Sequence, residues 1–209
     1  MSVTGTVQVK CPACGLERAF QLVQSINTRS DPEAKERLLA GELDVLACSC
    51  GKRTQLAANL LFHDPDAEYW CQVCPGGEAA MMRAVEAFRG AGATGVLRLV
   101  PSQNALIEKV KLVDAGLEDW AIEMAKVLLL ASIEVPDLDR VLLFDRALDD
   151  VIHWVLFDAG GGNPQEVASP LSAYGKLAAR TNARPAHGEL RIDRAWAVAA
   201  VQAMFTRSN

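Results

Sequence analysis

Half of the 209 residues are hydrophobic, 6% are aromatic, and the formal net charge is −5. A chain of this length and composition can bury a sizeable core without disulfide staples. The charge is uneven: residues 1–158 carry 15 Lys+Arg against 23 Asp+Glu, net −8, and residues 159–209 carry 6 against 3, net +3. A basic footprint for nucleic acid is therefore missing from most of the chain, and the apolar run 127–133 is far too short to span a membrane.

Six cysteines stand at positions 11, 14, 48, 50, 71 and 74. Their tight pairwise spacing suits metal coordination better than disulfides between distant segments. No charged stretch followed by an apolar one opens the chain, so no secretory signal is expected. A reducing cytoplasm, where thiols can bind metal, is the expected compartment.

Residues 3–10 alternate and are β-branched, which predicts a strand. They run into Cys11-Pro12-Ala13-Cys14-Gly15. Such a knuckle sets two sulfurs on one side of a turn, and glycine can leave the turn with a positive φ. Residues 16–26 alternate well enough for a second strand. Ser30-Asp31-Pro32-Glu33 is a helix start, with Ser30 or Asp31 as cap and Pro32 in the first turn. Gly41 is the expected stop. Residues 43–47 form a short strand into Cys48-Ser49-Cys50-Gly51, and residues 52–58 leave it as another.

Residues 59–75 are extended, broken by a turn at His63-Asp64-Pro65-Asp66, with a strand at 69–73. Residues 78–89 are helical, with Ala79, Met82, Val85 and Phe88 on one side. A short strand at 97–100 follows. Ser102 caps a helix over 103–114 that stops at Gly116. A second helix covers 118–131, with Trp120, Met124, Val127 and Leu128 on its inner face, and Pro136 ends that segment. Two strands, 140–147 and 151–158, meet at Asp149-Asp150. A glycine turn at 160–162 leads to a helix over 172–180, a polar stretch, and a last helix over 193–205 with Trp196, Ala200 and Met204 spaced for burial.

Cys11, Cys14, Cys48 and Cys50 are read as one tetrahedral zinc site that pins two segments together; four buried core thiols are the alternative. Four protein ligands leave no open position for water, which makes the zinc structural rather than catalytic. Cys71 and Cys74 are read as structural strand residues, since strand positions three apart point to opposite faces. A second half-site or a redox pair are the alternatives, and either cysteine is the substitute ligand if Cys48 or Cys50 cannot reach the ion. His63, Asp64 and Asp66 read as a turn, and His153 as a satisfied core or edge residue. Asp145, Asp149, Asp150 and Asp158 read as hairpin ends in water. The run at Glu108-Lys109 reads as a solvated edge or docking face, because adjacent helix residues do not face each other.

Several segments in order resemble the bacterial CpXC family: Cys11-Pro12-Ala13-Cys14-Gly15, then Ser25-Ile26-Asn27, Asp31-Pro32-Glu33 and Leu38-Leu39-Ala40-Gly41-Glu42-Leu43. Phe62-His63-Asp64, Leu97-Arg98-Leu99-Val100, Leu106-Ile107-Glu108-Lys109-Val110 and Ala115-Gly116-Leu117-Glu118-Asp119 extend the likeness over residues 6–132. The second knuckle departs from the family pattern, with Ala47 and Cys48-Ser49-Cys50 where Cys-Pro-x-Cys-Gly would end at Gly51. The resemblance implies an architecture, not a reaction.

The expected fold is α+β. A zinc-ribbon-like β region with a helical insertion is followed by a helical pair and then by a C-terminal strand pair with helices. The expected domains are 1–132 and a C-terminal extension, 133–209, packed on it. The expected function is a zinc-binding protein-interaction module or adaptor, with a protein partner, no membrane and no nucleic acid. The alternatives are an enzyme using a cleft with His63, Asp64 and carboxylates such as Glu108, and a nucleic-acid-binding ribbon flanked only by Lys10, Arg18, Lys52 and Arg53. Homo-oligomerisation is open, because no feature selects a symmetry.

Overall fold

A computed structural model describes residues 2–133, 137, 139–158 and 163–206. The expected helix stop at Pro136 and the glycine turn at 160–162 lie outside the described residues. The protein is α+β and divides into two compact units, Met1–Ile107 and Glu108–Asn209. No helix among the described residues is long and apolar enough to cross a membrane.

The first unit is built on a five-stranded sheet. Strands β1 (Val3–Lys10) and β2 (Glu17–Asn27) form an antiparallel ribbon with Lys10 opposite Glu17 at its tip. Its alternating residues give no buried position on β1, which is the outer strand, whereas β2 buries Val23 and Ile26. Only Ser25–Asn27 of β2 continue into the sheet, in parallel with β5 (Leu60–Asp64). Next come β6 (Tyr69–Val73), antiparallel to β5, and β7 (Val96–Val100), parallel to β6. A parallel pair needs a crossover, and the helix α2 (Gly77–Gly90) supplies it.

Between β2 and β5 the chain makes α1 (Pro32–Leu39) and a separate hairpin of β3 (Val45–Ala47) and β4 (Arg53–Gln55). Asp31 is the cap of α1, accepting from the Ala34 N–H at 3.1 Å. Ile26, Leu38, Leu43, Leu46, Phe62 and Cys71 are among the fully buried side chains of this unit.

Two expectations change here. His63 and Asp64 end a strand, and the turn lies at 65–68. Helix α2 buries Ala80, Met81 and Phe88, whereas Met82 is 65% exposed. The helix is apolar on more than one face, so its periodicity does not select the inner one.

The division between units falls inside α3 (Gln103–Asp114). The second unit centres on α4 (Asp119–Ser132). On one side of it lies an antiparallel sheet of β8 (Val141–Leu148), β9 (Val151–Phe157) and β10 (Gln165–Pro170), in the order β10-β9-β8. Leu112, Ile122 and Leu130 pack there against Phe144, Ile152 and Trp154. Asp149 and Asp150, both at positive φ, make the β8–β9 turn. On the other side, Trp120, Met124 and Val127 pack on α5 (Leu171–Ala178) and α6 (Arg194–Thr206) through Leu177, Ala197 and Val201. Trp196, Ala200 and Met204 are half-buried at the margin of this second core. Strand β10 was not expected: it has few β-favouring residues, and its pairing with β9 along residues 165–170 holds it in place.

Because both flanks of α4 are covered, its polar stripe is buried as well. Lys126 Nζ lies 2.7 Å from Glu108 and 2.9 Å from Glu123. Lys109 Nζ lies 2.9 Å from Asp119 and 3.5 Å from Glu123, and donates to the Ile192 carbonyl. Glu108 also accepts the Phe144 N–H. Glu108 and Lys109 therefore form no solvated edge; they are 5% and 4% exposed. Adjacent on α3, they diverge and meet different residues of α4. Burial raises the Glu123 pKa, but Lys126 and Lys109 outweigh it and hold the carboxyl below its usual range. Burial lowers Lys126, but Glu108 and Glu123 outweigh it and keep the ammonium above its usual range.

Removing one partner of such a group strands the others in a dry interior, at a cost of about 3–5 kcal/mol. Lys126→Met is expected to destabilise the second unit by about that amount in urea unfolding. Adding Glu108→Gln and Glu123→Leu to the same chain should recover part of the loss. A single variant that unfolds like the parent would show that the network contributes nothing.

Candidate metal centre

Each knuckle closes a hairpin. Cys11–Gly15 joins β1 to β2, and Cys48–Gly51 joins β3 to β4. In the first, the Cys11 N–H donates to the Leu16 carbonyl and the Gly15 N–H to the Cys11 carbonyl, both at 2.9 Å. In the second, the Cys48 N–H donates to the Lys52 carbonyl at 2.9 Å and the Gly51 N–H to the Cys48 carbonyl at 3.0 Å. Both bonds span one residue fewer in the second knuckle. The shortened Cys48-Ser49-Cys50 turn is therefore a contracted version of the first, with the same donor and acceptor roles. Gly15 and Gly51 close the two turns with φ of +74° and +87°.

The four sulfurs meet. All lie within 4.8 Å of one another, with Cys11 Sγ 3.8 Å from Cys50 and Cys14 Sγ 3.5 Å from Cys48. Those separations are far beyond a disulfide bond of about 2.05 Å. A tetrahedron with metal–sulfur bonds of about 2.3 Å has sulfur–sulfur edges of about 3.8 Å. The donor set thus fits one metal ion with four thiolates, and the four cysteines are positioned to bind it.

Cys11 and Cys48, the first cysteine of each knuckle, are buried; Cys14 and Cys50 are exposed. The backbone N–H groups of Cys14 and Ala13 lower the Cys11 pKa. The Cys50 N–H does the same for Cys48 and brings it down to about 6. The Leu16 N–H favours the Cys14 thiolate, but the surrounding sulfurs outweigh it and push Cys14 up to about 12. Four thiolates so close together repel, and a bound cation relieves that repulsion. Metal binding therefore displaces protons from the set.

Further contacts tie the two hairpins together. Arg18 donates to the Ala47 carbonyl at 3.0 Å. Asp44, buried and at φ +54°, accepts the Val23 N–H at 2.9 Å. Its burial raises its pKa despite that bond. Neither contact was expected from sequence. The only signal was a lone aspartate set among Leu43, Val45 and Leu46.

The other candidates do not join the cluster. Cys71 lies in β6 and Cys74 just after it, both buried in the first unit. Burial raises the Cys74 pKa. His63 stacks on Trp70 with ring centroids 3.4 Å apart. Burial lowers its pKa. Asp64 accepts from the Asp66 and Ala67 N–H groups and lies 3.5 Å from Lys35. His153 Nδ1 lies 2.8 Å from Glu166 on the β9–β10 surface. Asp145 lies inside β8, at its bulge, and pairs with Lys111, while Asp158 follows β9 and pairs with Arg140; only Asp149 and Asp150 stand at the hairpin turn. Among the described residues, the four knuckle cysteines alone form a cluster of potential metal ligands.

A family model described as CpXC protein matches residues 9–126, more than half of the chain and including all four cysteines. The chain belongs to the CpXC family. No curated protein and no solved structure is significantly similar to it.

The glycine that ends the contracted turn is expected to matter for conformation alone, because a Cβ there meets no atom within 4 Å. A non-glycine residue in this left-handed conformation costs about 1 kcal/mol. Gly51→Ala should therefore weaken metal retention about fivefold in a chelator competition. Gly51→Asn, which visits that conformation more readily, should lose less. Equal affinities for all three chains would contradict this view of the turn.

Proposed function

From membership of the CpXC family and the four-sulfur geometry, we propose a structural zinc centre within a protein-interaction module or adaptor of the cytoplasm. The observation that carries the reading is the donor set. Four sulfurs fill a tetrahedral shell and leave no position at which water or a substrate could be activated. Zinc is the natural occupant of such a set, being redox-inert and content with four thiolates. Its role is to hold two hairpin tips together and so fix the presented surface. Lys10, Arg18, Lys52 and Arg53 flank these tips and offset the surplus negative charge of four thiolates around a divalent ion.

The enzyme alternative has less support. His63 is stacked on Trp70, Asp64 is taken up by its own turn, and Glu108 is engaged in the buried ion network. The acidic net charge of the chain argues against a nucleic-acid partner.

Reduced, freshly purified protein is expected to contain about one zinc per chain, and Cys11→Ser to lower that content sharply. Chelation should increase amide exchange around residues 11–51 and leave α4 as protected as before. In a lysate of the native host, a stoichiometric protein partner should be captured by the zinc-loaded chain and lost by Cys11→Ser. Substoichiometric zinc in the parent protein would refute the metal assignment, and no zinc-dependent partner would refute the adaptor role.

A further inference from the structure

The second unit contains a groove of about 460 Å³ that the metal centre does not use. It opens between α4, α5 and β9. Its walls are Leu128 and Leu129 of α4, Ile152 and Trp154 of β9, and Tyr174 and Leu177 of α5. These residues lie where the two cores of the unit meet, with Tyr174 and Ala125 packing against both. The groove is thus an unfilled seam between two apolar clusters, in the size range of small-molecule sites.

Its rim is not apolar. Lys176 and Arg180 stand one turn apart on and just after α5, both exposed, and both contribute to the lining. Neither has an ion-pair partner among the described residues. Both stand at the C-terminal end of α5, where the helix dipole favours cations, and an anion in the mouth of the groove would meet two of them. Ser169 of β10 also borders the groove; its Oγ accepts the Trp154 Nε1–H at 2.9 Å, which leaves its own hydrogen to donate.

We infer that this groove binds a single-chain amphipathic carboxylate, with the hydrocarbon tail along Leu128, Leu129 and the ring of Tyr174 and the carboxylate at Lys176 and Arg180. The chemistry on both sides matches: an apolar wall for the tail, and two cations for one anionic head. The volume suits one such chain and is small for a docked helix.

The test uses the full zinc-loaded chain with dodecanoate as the probe, followed by calorimetric titration. Saturable binding of one dodecanoate per chain is expected, with dodecanol and hexanoate each at least tenfold weaker. Charge reversal with Lys176→Glu and Arg180→Glu together should weaken dodecanoate at least tenfold. Ala173→Trp places a large ring in the groove from an exposed helix position and should abolish binding with the melting temperature unchanged. If Ala173→Trp unfolds the unit, Leu128→Trp and the charge reversals carry the same test. No saturable binding would overturn the inference. So would binding that these variants leave unaltered, or a groove that instead takes an acidic amphipathic peptide or a second copy of the chain.

Discussion

Two hairpins that share no strand pairing meet at their tips through four sulfur atoms. The geometry of the first unit depends on that meeting. The β1–β2 ribbon has almost no buried side chain along its outer strand, and β3–β4 is only three residues deep on each side. A two-stranded hairpin is marginal by itself. Arg18 and Asp44 supply two directional bonds between the two hairpins, but four thiolates in the same place would repel, as the raised Cys14 pKa reflects. A cation at the centre changes the sign of the interaction, so that crowding four thiolates becomes a source of order.

The second unit solves a different problem. Helix α4 lies between two apolar cores and carries Asp119, Glu123 and Lys126 into the interior with it. Isolated charges would not survive there. They persist because Lys109 and Lys126 each meet two carboxylates at short range, and because the Phe144 N–H and the Ile192 carbonyl take up remaining hydrogen-bonding capacity. The helix is fixed in rotation by that pattern, since turning it would separate each charge from its partner. The same fixed rotation places Leu128 and Leu129 along the open seam.

The four cysteines were legible because their chemistry and their close spacing coincide: a Cys-x-x-Cys-Gly and a Cys-x-Cys-Gly each declare a turn with two soft donors. The equivalence of the two turns was not legible, because a one-residue contraction is absorbed by backbone hydrogen bonds that leave no mark on side-chain identity. Glu108 and Lys109 of α3 were misleading for a physical reason: adjacent charges on a helix read the same in sequence whether they face solvent or meet partners in the interior. Only the partners on α4, Asp119, Glu123 and Lys126, distinguish the two. Strand β10 escaped notice because its pairing with β9, not its own composition, makes it a strand. In α2, an apolar surface wider than one face concealed that Met81 turns inward and Met82 outward.

X-ray absorption at the zinc edge of the purified, reduced protein bears most directly on the central claim, that the four knuckle sulfurs hold one metal ion. The expected spectrum has a single shell of four sulfur scatterers at about 2.3 Å. A shell mixing sulfur with nitrogen or oxygen, or one holding fewer than four sulfurs, would contradict the closed site and with it the assignment of the metal as purely structural.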